Sequence, residues 1–316
     1  MGTARTDAGR THVGVPAFGE GGRVIWVTWR QQRLQIFAVV GIVAALSLVL
    51  VYLRSQAVNG ALSDTNQLIV SYILLLLVVL PVLLGMFFGA PLFAREIEQG
   101  THVFALTQSV SRTRWLITKA AMACGSLAVA MFVLGVVAAW AFEPMKSTMQ
   151  TRLETGQFEA QGVVVGGYAI LAFAVGATAG LVLRNTLAAM VVTLIMYGAV
   201  LLTLGQSVRE NYAEPSYFEA PVNQVASQAE PGRSWQVDYG FVDATGKQFP
   251  LLSTRYCAAE PNVRACFDRM NFVASYSKAH LPNQFWRFQF TELGLVLALS
   301  ALVLGAGVGV SRRPLA

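Results

Sequence analysis

The feature that most constrains this chain is a set of six apolar runs, each close to the roughly 20 residues that a helix needs to cross a bilayer. The chain of 316 residues is 55% hydrophobic and only 13% charged, whereas soluble domains carry about 25% charged residues. The sequence therefore predicts an all-α membrane protein with six transmembrane helices. The predicted spans are 36–53, 68–92, 120–142, 162–183, 186–205 and 288–310.

The basic residues of the short loops predict the orientation, because Lys and Arg are enriched on the cytoplasmic side of membrane proteins. One face collects Arg30, Arg33, Arg95, Arg112, Arg114, Lys119, Arg184, Arg312 and Arg313. The other face has fewer cations, and acidic residues dilute them. We therefore expect a multi-pass protein of the cell membrane with both termini cytoplasmic. The net charge of +6 does not indicate nucleic-acid binding, because the basic residues lie in short loops beside the apolar runs.

Four segments follow from this reading: a mobile cytoplasmic tail (1–21), spans 1–5 preceded by an interfacial helix (22–205), an extracytoplasmic subdomain (206–285), and span 6 with a cytoplasmic tail (286–316). The interfacial helix is expected over 23–33, where Trp26 and Trp29 would anchor it among lipid head groups beside basic residues.

The extracytoplasmic subdomain is predicted to be small and α+β. Trp235, Val237, Tyr239 and Phe241 alternate with polar residues, which is typical of a half-buried strand. A turn over 243–246, a second strand over 248–256 and a helix over 262–276 are expected to follow.

Cysteine usage adds one expectation for the same subdomain. Outside the cytosol Cys257 and Cys266 can pair, although two free thiols are the alternative. Cys124 lies inside an apolar run and is expected to be a packing residue.

A polar hairpin is predicted between the second and third spans, over 93–119. Gly100 suits a helix C-cap, because a residue without a side chain tolerates a left-handed backbone. Thr101 can then cap a short second helix whose apolar residues are Val103, Phe104 and Leu106. The plain alternative is a solvated loop whose charges keep it in the cytosol.

This hairpin resembles the coupling element of the membrane subunits of ABC-2 type ABC transporters. Those permeases carry an acidic residue, a Gly-Thr pair and an Arg-rich turn before a Lys on the next helix. Segments 29–33 and 285–289 also look like parts of these permeases. The resemblance implies that the hairpin docks on a separate ATPase subunit. The residues implied in this coupling are Arg95, Glu96, Glu98, Gly100, Thr101, Val103, Phe104, Leu106, Arg112 and Arg114.

No nucleotide-binding motif of the chain itself is expected. Residues 240–248 superficially look like a phosphate loop, but their glycine spacing is one residue too long and Gln248 replaces the Ser or Thr that would bind magnesium. His12, His102 and His280 are far apart in sequence and form no metalloprotease motif. The chain is thus expected to be no enzyme and to bind no cofactor, with ATP bound by the partner subunit.

The spans are expected to hold almost no ionisable side chains, with Glu292 as the exception. Ion-coupled carriers usually need charged residues at membrane depth, so this composition argues against a secondary transporter. Four Gly-x-x-x-Gly pairs, Gly85/Gly89, Gly162/Gly166, Gly176/Gly180 and Gly305/Gly309, indicate close helix packing, either within one subunit or at a subunit interface.

Together these features predict the permease subunit of an ATP-driven exporter for an apolar or amphipathic compound. Two permease subunits, expected to be identical, would work in the lipid bilayer with two ATPase subunits. The alternative is a membrane subunit that does not transport but passes a signal to or from an ATPase, with the outer subdomain as its sensor.

Overall fold

Long helices make up most of the chain in the computed structural model, which describes residues 20–60, 63–99, 112–145, 151–221, 234–251 and 263–311. Six of the described helices are long and apolar enough to cross a membrane. They are α1 (Glu20–Val58), α2 (Asp64–Glu98), α3 (Arg112–Ala141), α4 (Val164–Leu183), α5 (Thr186–Thr203) and α7 (Phe285–Ser311). A short helix, α6 (Val263–Arg269), lies between α5 and α7.

Helix α1 differs from the prediction at its start. A separate interfacial helix was expected before the first span, but one continuous helix of 39 residues runs from Glu20 to Val58. No proline interrupts this stretch, so nothing in the sequence forces the backbone to leave the helix. Trp26 and Trp29 are exposed on it. Helix α2 continues beyond the second apolar run to Glu98, just before Gly100, where the sequence predicts a helix C-cap.

Helix α4 is the centre of the bundle. It is the most buried of the six long helices described, and α2, α3, α5 and α7 all pack against it. Two of the predicted glycine pairs lie where α2 and α4 meet. A Cβ atom on Gly89 would lie 2.5 Å from the Phe173 carbonyl oxygen, and one on Gly180 would lie 2.4 Å from the Ala90 carbonyl oxygen. Backbone therefore packs directly on backbone, as small residues permit in lipid.

The other two glycine pairs behave differently. Gly162 adopts a left-handed φ of +78° and packs against the Gln289 side chain, while Gly166 accommodates the ring of Phe132. Gly305 and Gly309 face open space on α7, where a Cβ atom would have no described atom within 4 Å. Three pairs thus serve packing within the subunit, and the fourth does not.

After α5 the chain stays helical for two further turns. A π-helical turn (Leu204–Val208) and a 3-10 turn (Arg209–Asn211) extend it into the region that was expected to begin the external subdomain. Between α3 and α4 the sequence predicts a polar loop over 145–161, but residues 151–161 are largely buried, with Leu153 and Phe158 fully covered. Its aromatic and aliphatic residues supply the reason, since they fill the space between α4 and α7.

A four-stranded antiparallel sheet lies between α5 and α7 in sequence. Its strands are β1 (Ser216–Pro221), β2 (Trp235–Asp243), β3 (Gln248–Pro250) and β4 (Phe272–His280), in the spatial order β1-β4-β2-β3. Strand β2 and the turn after it confirm the predictions: the Asp243 Oδ1 atom accepts hydrogen bonds from the Thr245 and Lys247 amides. The second predicted strand is described only to Pro250.

The helix predicted over 262–276 is wrong in its second half. Helix α6 ends at Arg269, Asn271 has a left-handed φ of 53°, and the chain then enters β4. This segment forms a strand because β4 lies between β1 and β2 and pairs with both. The local sequence could not reveal these partner strands. Strand β1 was not predicted. Phe241 contacts the rings of Phe267 and Phe272 and so attaches α6 to the sheet.

The α2–α4 contact yields a test of the fold. We expect Gly89→Ala to lower the free energy of unfolding by about 1–3 kcal/mol, since the new methyl group overlaps the Phe173 carbonyl. Gly41→Ala is the control, because Gly41 faces open space. It should leave stability unchanged or raise it by up to about 1 kcal/mol through helix propensity. Chemical unfolding in detergent micelles measures both, and equal effects of the two changes would contradict this packing.

Candidate functional site

The two ends of the helix bundle differ in chemistry. We call the end where α2 finishes and α3 begins the hairpin end; the turn from α4 to α5 also lies there. The opposite end, where α5 finishes and α7 begins beside the sheet, is the sheet end. Polar contacts at each end join helices that are far apart in sequence.

At the hairpin end the carboxylate of Glu98 binds the start of α5. One of its oxygens accepts a hydrogen bond from the Thr186 amide at 2.8 Å, and the other accepts one from the Thr186 hydroxyl at 2.9 Å. An acidic group at a helix N-terminus also interacts favourably with the helix dipole. Asn185 caps the same helix through the Ala188 amide. Glu98 thereby fixes the end of α2 to the α4–α5 turn.

The other predicted coupling residues divide into two groups. Arg95 is exposed in the last turn of α2, Glu96 lies in that same turn, and Arg112 and Arg114 open α3. These helices therefore flank the predicted hairpin on both sides. The remaining members lie outside the described residues: Gly100, Thr101, Val103, Phe104 and Leu106. Their role in coupling stays a prediction.

At the sheet end three charged side chains meet in the interior. The Arg209 guanidinium pairs with both oxygens of Glu292, at 3.0 Å from Nε and 2.9 Å from Nη2. Its Nη2 atom also donates to Glu159. All three side chains are at most 1% exposed. We call these residues the ion cluster; it joins α5, α7 and the segment before α4.

Neighbouring groups complete the ion cluster. The hydroxyls of Tyr168 and Tyr212 donate to Glu292, at 2.7 and 3.3 Å. The guanidinium carbon of Arg209 lies 4.0 Å from the centre of the Phe158 ring, an arrangement that stabilises a cation further. The Arg209 Nη1 atom is the exception, since no acceptor among the described residues reaches it. Burial, followed by the nearby Glu292 carboxylate, raises the pKa of Tyr212.

The local backbone explains why Arg209 points inward. It directly follows the π-helical turn, which inserts extra residues into a helix and changes the direction of the side chains after it. Such turns are frequent at functional sites. The sequence prediction had identified Glu292 alone as a charge within the spans. A buried Glu needs a cation, but the sequence offered no signal that chose Arg209 among the arginines.

Gln289 organises the backbone beside the ion cluster. Its Nε2 atom donates to the carbonyls of Phe158 and Gln161, and its Oε1 atom accepts from the Val164 amide at 3.0 Å. All three hydrogen bonds are to backbone groups at or just before the start of α4. Segment 151–161 is thus fixed to α7. Burial lowers the pKa of Arg152 in this segment, and the negative charge of Glu143 acts in the opposite direction by raising it.

His280 attaches the sheet to the helices. It is fully buried at the end of β4, with its Nε2 atom 3.0 Å from the Glu210 carbonyl oxygen and its Nδ1 atom 3.2 Å from the Gln284 Oε1 atom. Its ring also contacts those of Trp235 and Phe288. The sheet is therefore held rigidly against the start of α7 and the end of α5.

The predicted disulfide falls partly outside the described residues. Cys266 is buried on α6 and is disulfide-bonded, and Cys124 is a free cysteine on α3. Cys257 lies outside the described residues, so its pairing with Cys266 stays a prediction. No group of three or more metal-ligating side chains occurs in the part of the chain that the structure describes.

The six apolar helices and this organisation define a multi-pass membrane protein. Residues 25–209 match the family described as ABC-2 membrane transporter related. This match covers more than half of the 316 residues, and the chain belongs to that family. Comparisons with curated proteins and with solved structures found no match. ABC-2 permeases are typically non-catalytic membrane subunits of transport systems that include an ATPase partner.

The ion cluster gives the prediction for this part of the molecule. Arg209→Ala would leave two carboxylates buried without a counter-charge, and we expect it to lower the free energy of unfolding by about 3–5 kcal/mol. The matched control replaces the whole cluster by apolar groups, Arg209→Met with Glu159→Leu and Glu292→Met, and should recover most of the loss. Thermal unfolding in detergent measures both. If the Arg209→Ala variant is as stable as the wild type, Arg209 does not neutralise two buried carboxylates.

Proposed function

We propose that this chain is the membrane-spanning subunit of an ATP-driven exporter, and that a separate subunit hydrolyses the ATP. The match of residues 25–209 to the ABC-2 family is the observation that carries the proposal. It includes the predicted hairpin and the helices on both sides of it. The apolar surface of the spans favours an apolar or amphipathic cargo, since a polar cargo would need polar groups along its route.

We propose that the hairpin between α2 and α3 receives the movement of the ATPase. Helix α2 leads directly from this hairpin to the backbone contact with α4. The hydrogen bonds from Thr186 to Glu98 connect the same end of α2 to α5. A displacement of the hairpin would therefore be transmitted to three helices at once. Packed helices shift as rigid bodies between discrete states, which suits alternation between inward-open and outward-open forms.

Two copies of the chain, with two ATPase subunits, form our proposed assembly. Six helices, with the buried α4 at their centre, leave little room for a cargo route within one copy. The open face of Gly305 and Gly309 on α7 fits the close approach of a helix from a second copy. The proposed orientation puts the hairpin end in the cytoplasm, together with both termini, because the basic loop residues collect there.

The orientation can be tested by thiol labelling in intact cells. In a Cys124→Ala background, a cysteine placed at Gln228 should react with a membrane-impermeant maleimide, because we expect that region outside. A cysteine placed at Ser109 should react only after the membrane is permeabilised. Labelling of the Ser109 position in intact cells would contradict the proposed orientation.

The coupling role can be tested by a change in the hairpin. We expect Phe104→Asp to weaken docking of the ATPase by a few kcal/mol, roughly 2–4, since it puts a charge into an apolar contact. The measurements are co-purification of the ATPase subunit and transport-coupled ATP hydrolysis.

Gln108→Asp is the matched control, because it adds the same charge to the same segment at a polar position. It should leave docking and hydrolysis near wild-type levels. If Phe104→Asp behaves like this control, the hairpin is a solvated loop and the proposed coupling is wrong.

A further inference from the structure

A narrow apolar groove opens on the side of the bundle between α3 and α7, with α4 as its floor. Its volume is about 350 Å³. We call it the α3–α7 groove. Its lining residues come from four helices: Phe93 of α2, residues 117–125 of α3, residues 173–181 of α4 and residues 304–308 of α7 contribute to it. The groove lies in the half of the bundle nearer the hairpin end, since Phe93 and Leu181 are near the ends of α2 and α4.

The surface of this groove is almost entirely apolar. Its lining is aliphatic and aromatic except for Thr178 and Cys124. The Thr178 hydroxyl already donates a hydrogen bond to the Val303 carbonyl at 3.2 Å and so has no free donor. Gly125 leaves space in the wall, with nothing within 4 Å of the position that a Cβ would take. A ligand in the groove would gain its affinity from apolar contact.

Two arginines lie in sequence one helical turn beyond the lining residues, on the side of the hairpin end. Arg184 follows Leu181 by three residues, so it lies one helical turn further toward the hairpin end, where it is exposed. Arg114 precedes Ile117 by the same spacing on α3. The carboxylate described nearby, that of Glu98, is already bound by the amide and hydroxyl of Thr186. The apolar walls therefore lead toward positive charge.

We propose that the α3–α7 groove holds the alkyl chain of a single-chain amphiphile whose anionic head group lies at Arg184. The volume is at the small end of the about 300–1,000 Å³ typical of small-molecule sites, which favours one chain over two. A helix about 10 Å across would fill such a volume with less than one turn, so the groove is too small to hold a helix of a second copy. The lateral opening lets a chain enter from the surrounding leaflet.

This inference goes beyond the proposed function and does not rest on it, because occupancy of the groove does not depend on the ATPase. The experiment therefore uses the purified full chain alone, in nanodiscs of phosphatidylcholine. The probe is a photoreactive dodecyl phosphate with a diazirine near the end of its chain. The same chain with a trimethylammonium head group serves as the cationic comparison.

We expect saturable photolabelling by the phosphate probe, on peptides that contain residues 117–125 or 304–308, and competition by unlabelled dodecyl phosphate. Gly125→Leu should reduce this labelling about tenfold by filling the groove. Gly41→Leu, which adds the same side chain at an open position on α1, should not reduce it. Arg184→Asn should remove the preference for phosphate over trimethylammonium, and Asn tolerates the left-handed backbone of that position.

Three results would overturn the proposal. Equal, non-saturable labelling by both probes would show ordinary boundary lipid. Labelling that Gly125→Leu leaves unchanged would place the chain elsewhere. Labelling that becomes saturable only at a protein concentration where two copies associate would assign the groove to a subunit contact. A failure of the ATPase docking test would change none of these three labelling results. The two proposals can therefore be tested independently.

Discussion

The backbone contact between α2 and α4 is the interaction on which the rest of this structure depends. In lipid no hydrophobic effect drives two apolar helices together, so close packing and backbone proximity must supply the attraction. Gly89 and Gly180 supply them here, because a side chain at either position would meet a carbonyl oxygen. With α4 buried against α2, three further helices can pack on its remaining faces. Under the proposed function, this buried centre is what would pass movement at the hairpin end to the other spans.

The sheet end solves a different physical problem. A buried arginine and two buried carboxylates are costly to remove from water, and only a closely paired, fully hydrogen-bonded arrangement offsets that cost. The ion cluster approaches this condition through the bidentate contact with Glu292 and the hydroxyls of Tyr168 and Tyr212. Because the members come from α5, α7 and the segment before α4, separating these elements would expose unpaired charge. We infer that the sheet end resists opening more than the hairpin end does.

Prediction from the sequence succeeded where the signal is local. The six spans follow from apolar runs of bilayer length, and β2 follows from strict alternation over Trp235–Phe241. The family resemblance came from a short pattern of charges and glycine, and the match over residues 25–209 confirms it.

Prediction failed where distant residues decide. The first half of β4 was predicted as helix because the partner strands β1 and β2 are far away in sequence. The burial of segment 151–161 was not predicted, because Glu159 is neutralised in the interior by Arg209, which lies 50 residues later. The role of Glu98 was predicted only as part of a family pattern. Its hydrogen bonds with Thr186, 88 residues away, could not be read from that pattern.

We propose that a separate ATPase acts on this chain through the hairpin between α2 and α3. Amide hydrogen exchange tests this proposal most directly, with the chain in nanodiscs alone and in complex with the proposed ATPase subunit. We expect strong protection of residues 99–112 in the complex and little change in the sheet formed by β1–β4. Protection confined to the sheet, with unchanged exchange at residues 99–112, would contradict it.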